Sequence, residues 1–121
     1  MARNPKSAAA RVLRAKTILL IGSPFYGSLI CNLDIKEDNE ICGTMATDGT
    51  SIFWNRDFVD SLTDANIVFV LAHETAHCAN LHHVRRAGRD PQEWNIACDY
   101  AINIDLVDAK VGVAPDSVLL E

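Results

Sequence analysis

A chain of 121 residues with 49% hydrophobic and 22% charged residues has the length and apolar content of one globular domain with its own core. Its formal net charge of −5 leaves no basic excess to neutralise phosphates, which argues against a nucleic-acid partner. No apolar run approaches the roughly 20 residues that a membrane span needs.

The segment Met1–Ile21 carries basic residues through its length and has no small-residue cleavage site after an apolar run, so it does not read as a secretory signal. Cysteines stand at 31, 42, 78 and 98 without a C-x-x-C pair. That pattern argues against a zinc knuckle and predicts reduced, mostly buried thiols in a cytoplasmic protein.

In chain order, Pro5 and Ser7 open an Ala/Leu/Arg-rich stretch, Ala8–Ile21, which predicts a helix with its arginines on a solvated face. Gly22-Ser23-Pro24 interrupts it, and Phe25–Cys31 predicts another turn or two of helix. Leu33–Lys36 reads as a short strand. The stretch Gly43–Asn55, "GTMATDGTSIFWN", has β-branched and aromatic residues on both sides of Asp48-Gly49. This predicts a hairpin with a type I′ turn, which needs positive φ at both central positions. Trp54 and Phe53 should alternate in exposure, as on a half-buried strand.

Thr63 is the expected N-cap of a long helix over Asp64–Arg86, which contains no Gly or Pro. Gly88 should end it. Asp90-Pro91 then supplies a cap and a first helical residue for a last helix running to about Lys110. The order helix, strands, helix, helix predicts an α+β fold. A single domain over residues 1–121 is expected, either complete or a piece of a longer chain.

The long helix carries all four histidines of the chain in "FVLAHETAHCANLHHVRR". His73-Glu74-Thr75-Ala76-His77 is an H-E-x-x-H motif. His73 and His77 are one turn apart, so both rings leave the same face and can hold one Zn²⁺. Glu74 is turned by about 100° and can reach an attacking water as general base. The preceding "IVFVLA" is apolar all round, so the helix should be buried, where imidazoles and a carboxylate are costly unless paired or metal-bound.

Zinc needs a third protein ligand, and two candidates exist. His83 has the metzincin spacing, but Asn80 stands at the glycine position, and Met1 and Met45 are the only methionines, so no Met-turn can follow. Asp99 lies in "PQEWNIACDYAIN", about twenty residues after His77, where a returning antiparallel helix would place it. Asn103 is one turn further on, able to accept the ring N–H of a ligand histidine. Ala97 and Ala101 would let the helices approach closely enough for the shorter aspartate. Asp99 is the favoured ligand and His83 the alternative. Tyr100 beside Asp99 is poorly aimed for oxyanion stabilisation, and Trp94 reads as a core aromatic.

"TDGTSIFWN" and "VLAHETAHCANLHHVRRAGRDPQEWNIACDYAIN" together resemble the putative metallopeptidase domain found N-terminal to VWA-like domains in bacteria and their phages. The resemblance implies a zincin-like fold, with a small antiparallel sheet or hairpin packed on an active-site helix and a following antiparallel helix. It carries over His73, Glu74 and His77, with Asp99 in the family's W-N-x-A-x-D-x-x-I-N segment. It also implies a peptide or protein substrate and a VWA-like domain or MoxR-type ATPase as partner. The expected function is a zinc-dependent peptide hydrolase; the alternative is a non-catalytic, zinc-stabilised interaction module working with an ATPase or phage partner.

Overall fold

The computed structural model describes residues 7–40, 43–79, 88 and 90–115. Helix α1 spans Ala8–Gly22 and α2 spans Pro24–Ile30. Strands β1 (Asp34–Glu37), β2 (Met45–Thr47) and β3 (Ser51–Trp54) follow, then a short α3 (Arg56–Asp60), α4 (Asp64–Ala79) and α5 (Pro91–Asp108). The fold is α+β with a small three-stranded sheet.

The helix starts follow from local chemistry. Ser7 Oγ accepts from the Ala10 N–H at 3.1 Å. Thr63 and Asn66 cap α4 reciprocally: Thr63 Oγ1 accepts from Asn66 N at 3.1 Å, and Asn66 Oδ1 accepts from Thr63 N at 3.2 Å. Asp90 Oδ1 accepts from Glu93 N at 2.9 Å, with Pro91 opening the first turn of α5. Each such cap stabilises its helix by about 1 kcal/mol. The remainder of the long helix expected to reach Arg86 lies outside the described residues.

The sheet order is β1-β3-β2. β2 and β3 form the expected antiparallel hairpin, with Met45 opposite Trp54 and Thr47 opposite Ile52. β1 joins β3 in parallel, so the sheet is mixed rather than wholly antiparallel. The turn also differs from the type I′ expectation. Gly49 has φ 100°, but Asp48 does not enter the left-handed region. The loop is longer than two residues, and the Asp48 carboxylate organises it by accepting from Thr50 N, Thr50 Oγ1 and Ser51 N at 2.9, 3.1 and 2.8 Å. Trp54 is buried and Phe53 half-buried.

α4 is the central element. Ile67, Val68, Phe69, Val70, Leu71 and Ala72 are all buried, so the apolar run is covered on every side. α1, α2, α5 and β2 pack around it. Phe69, Leu71, Ile67, Leu19, Ile30, Ile52 and Leu106 are among the large, fully enclosed side chains, each worth about 1.5–3 kcal/mol on burial.

Two features correct the sequence reading. Arg11 is not on a solvated face: it shares the buried stripe Ala8, Val12, Ala15 and Leu19. Its guanidinium bonds Asp64 Oδ1 (3.0 Å), Val59 O (3.3 Å) and Leu62 O (2.6 Å), tying α1 to the α3–α4 turn. Ala97 and Ala101 are exposed, so they do not mediate the α4–α5 approach; the enclosed alanines are Ala72 and Ala76 on α4 itself. Of the cysteines, Cys78 and Cys98 are buried, Cys31 is exposed, and Cys42 lies outside the described residues.

Past α5 the chain turns back onto α4. Lys110 takes φ 57° and Gly112 φ 65°. Val113 N donates to Ala65 O at 3.1 Å, and Asn66 Nδ2 donates to Val113 O at 2.7 Å. Together with Leu106 and Ile102 in the core, this return holds α5 alongside α4. No helix among the described residues is long and apolar enough to cross a membrane.

Candidate metal centre

His73 and His77 occupy adjacent turns of α4, and their rings meet edge to face with centroids 4.8 Å apart. Asp99 and Asn103 occupy adjacent turns of α5. The return of the chain brings the two pairs together. Asp99 Oδ1 lies 3.0 Å from His73 Nε2 and 2.8 Å from His77 Nε2, and the two Nε2 atoms are 3.2 Å apart. Asn103 Oδ1 lies 2.7 Å from His73 Nδ1. His73 and Asn103 are buried; His77 and Asp99 are partly so.

The bond to Asn103 decides the electronic state of His73. An amide oxygen only accepts, so Nδ1 carries the proton, and in the neutral ring Nε2 presents its lone pair. That lone pair faces the Asp99 carboxylate and the second Nε2. Three electron-rich atoms this close repel one another unless a cation sits among them, either a proton on an imidazole or a metal ion. Ligands about 2.0–2.2 Å from a tetrahedral ion such as zinc stand roughly 3.3–3.6 Å apart, and the observed 2.8, 3.0 and 3.2 Å would open by a few tenths of an ångström to admit one. His73, His77 and Asp99 thus form a group whose donor set and spacing suit one metal ion.

The electrostatics agree with this picture. For His73, burial works against the imidazolium, but Asp99, Glu74 and Asn103 outweigh it and raise the pKa. For Asp99, burial acts upward, but the bonds from His73 and His77 hold the carboxyl well below the usual range. In the metal-free chain a proton on His73 is therefore favoured where a metal's charge would otherwise sit.

Glu74 is not in that group. Its side chain leaves α4 about 60° around the helix from His77 and about 40° before Cys78. Cys78 faces the sheet: its Sγ lies 2.9 Å from Thr47 Oγ1 on β2. Glu74 therefore leaves α4 on the side between α5, which holds Asp99, and the edge strand β2. It is half-buried. Burial pushes its carboxyl up to about 7, against the pull of His73 and His77.

Asp48, expected as a turn residue, is one. Tyr100 is exposed and does not join the group of donors. Trp94 is half-buried. His83, the alternative third ligand, lies outside the described residues, as do Arg85 and Arg86. The Thr47–Cys78 contact was not anticipated, because nothing in a sequence links a strand residue to a helix thirty-one positions away.

Comparison with known proteins places these residues in context. A family model described as "Putative metallopeptidase domain" matches residues 7–120. No curated protein and no solved structure matches the chain.

Proposed function

The chain belongs to the putative metallopeptidase domain family, and on that premise we propose that it is a zinc-dependent peptide hydrolase. The observation that carries the reading is the convergence of His73 Nε2, His77 Nε2 and Asp99 Oδ1 from two helices, within 3.2 Å of one another. Two imidazoles and one carboxylate are a donor set that zinc favours, and three protein ligands leave a coordination position for chemistry.

His73, His77 and Asp99 hold the ion, and Asn103 orients His73 by accepting its Nδ1–H. When bound, zinc polarises a peptide carbonyl and makes water more acidic. Glu74 sits beside that position in the gap between α5 and β2. Its carboxylate takes a proton from the attacking water, then delivers it to the leaving amine nitrogen. Strand β2, at one edge of the sheet and tied to α4 through Thr47 and Cys78, is placed to pair with an extended peptide backbone along the same gap.

The test is direct. Purified protein should bind one zinc per chain and cleave members of an unstructured peptide library, and a chelator should remove both metal and activity. Stoichiometric zinc without cleavage of any peptide would leave the non-catalytic module as the better reading.

A further inference from the structure

The substrate's chemical character can be read from the other wall of the same gap. α5 faces α4 through Ile102, Leu106 and the donor pair Asp99 and Asn103, and one flank of it is turned toward α2, where the Asp105 charge acts on the Tyr26 phenol. At about 100° per residue, the opposite flank begins where Asn103 ends and carries Ile96, Val107, Tyr100 and Ile104 in angular order. These four are 43%, 51%, 53% and 59% exposed. An apolar stripe of this kind on a small acidic domain is not explained by the core, which takes its contacts from the other side of the helix.

The position of the stripe identifies its occupant. It is continuous with Asp99: Ile96 precedes that residue by three positions and Tyr100 follows it by one. Because α5 runs antiparallel to α4, its residues advance around the axis in the opposite sense, so the flank that starts at Asn103 turns to the same side as Glu74, the side of Cys78 and β2. A peptide lying between β2 and α5 would therefore expose one row of side chains to Ile96 and Tyr100 while its backbone passes the donors. We propose that Ile96 and Tyr100 form a subsite that seats a bulky apolar side chain next to the bond being cut. This rests on the peptide-hydrolase reading and adds the substrate class: peptides carrying Leu, Phe or a similar residue there. Burying such a side chain against an isoleucine and a tyrosine ring supplies selectivity of about tenfold to a hundredfold over glycine at the same position.

The experiment uses binding as well as cleavage. The zinc-loaded Glu74→Gln chain is titrated by fluorescence anisotropy with two labelled peptides that differ only at a central residue, Phe against Gly. The expected result is at least about tenfold tighter binding of the Phe peptide, falling to within about twofold when Ile96→Ser and Tyr100→Ser are added. Ile18→Ser, at an exposed apolar position on α1, should leave the preference intact and controls for general stickiness. An undiminished preference in the Ile96/Tyr100 variant, or no binding of either peptide, overturns the subsite. Preference for the Phe peptide without cleavage by the zinc-loaded wild type overturns the hydrolase reading and supports the subsite.

Discussion

Asn103 Oδ1 stands 2.7 Å from His73 Nδ1, and this bond determines which edge of the imidazole is basic. With the proton fixed on Nδ1, the lone pair on Nε2 is aimed at Asp99 and His77 rather than into the core. Asn103→Leu, similar in size at this buried position, should weaken zinc binding by about 10–100-fold. Asn103→Asp keeps an acceptor and should recover most of the affinity. Competition against a chelator of known affinity measures both, and equal affinities in the wild type and Asn103→Leu would remove this residue from the site.

Glu74→Gln separates chemistry from metal binding. The amide preserves shape but cannot take the water's proton. Zinc content should be unchanged, while kcat falls by about 10²–10⁴-fold. Retained turnover in a zinc-replete variant would show that the proton goes elsewhere.

The site also predicts a pH dependence of stability for the metal-free chain. His73 has a raised folded pKa, so its contribution is complete below its unfolded value of 6.5 and is lost as pH rises through the folded value. Glu74 moves from 4.5 up to about 7, so the folded chain holds that proton more tightly, and its contribution fades between those values as pH rises. Asp99 acts oppositely: its contribution is present above 3.8 and is lost as pH falls through its depressed value. From pH 5 to 8 the metal-free protein should therefore lose stability at this site. Zinc requires deprotonated imidazoles, so the difference in Tm between zinc-loaded and metal-free protein should grow over the same interval. Thermal scans at pH 5, 6.5 and 8, with zinc and with chelator, check the sign; a difference that shrinks toward pH 8 contradicts it.

Arg11 and Asp64 form an ion pair whose two halves should cost very different amounts to remove. Asp64 is 53% exposed, so Asp64→Ala should cost under about 1 kcal/mol. Arg11→Leu leaves the carbonyls of Val59 and Leu62 without this donor in a buried place and should cost about 2–4 kcal/mol. Urea denaturation of the two variants gives the comparison, and similar losses would mean that the ion pair, not the carbonyl contacts, is what matters.

Gly112 combines a left-handed φ of 65° with close packing. A Cβ there would lie 2.6 Å from Ala65 O and 2.7 Å from Phe69 N, both backbone atoms that cannot rotate aside. Gly112→Ala should destabilise the fold by about 2 kcal/mol or more. Because the displaced segment follows directly on α5, zinc affinity should fall too. Gly22→Ala, where the added methyl meets nothing within 4 Å, serves as the control.

The grouping of His73, His77 and Asp99 was legible in the sequence because each step was local. The H-E-x-x-H spacing puts two rings on one helical face, and Asp90-Pro91 marks the start of a second helix. Asp99 and Asn103 are one turn apart within that helix. Only the antiparallel return had to be assumed, and the described structure has it. What escaped notice depended on longer-range or subtler causes. α3 has five residues, too few to show a period, although Asn55 caps it by accepting from Phe58 N at 3.1 Å. The parallel pairing of β1 with β3 joins strands that are not neighbours in the chain, and no pattern within β1 encodes it. Arg11 left a sign that was overlooked: it falls inside the i, i+3, i+4 stripe of small apolar residues on α1, where a cation must have a buried partner. Ala97 and Ala101 cannot bring the helices together, because they sit exposed on the side of α5 away from α4.

The bond from Val113 N to Ala65 O has a practical corollary for anyone handling the molecule. It fastens the strand of chain leaving α5 to the opening turn of α4, twelve positions from His77, or about 18 Å along the helix axis. A dye, affinity handle or surface linkage attached directly after that fastening leaves from the end of the central helix opposite His77.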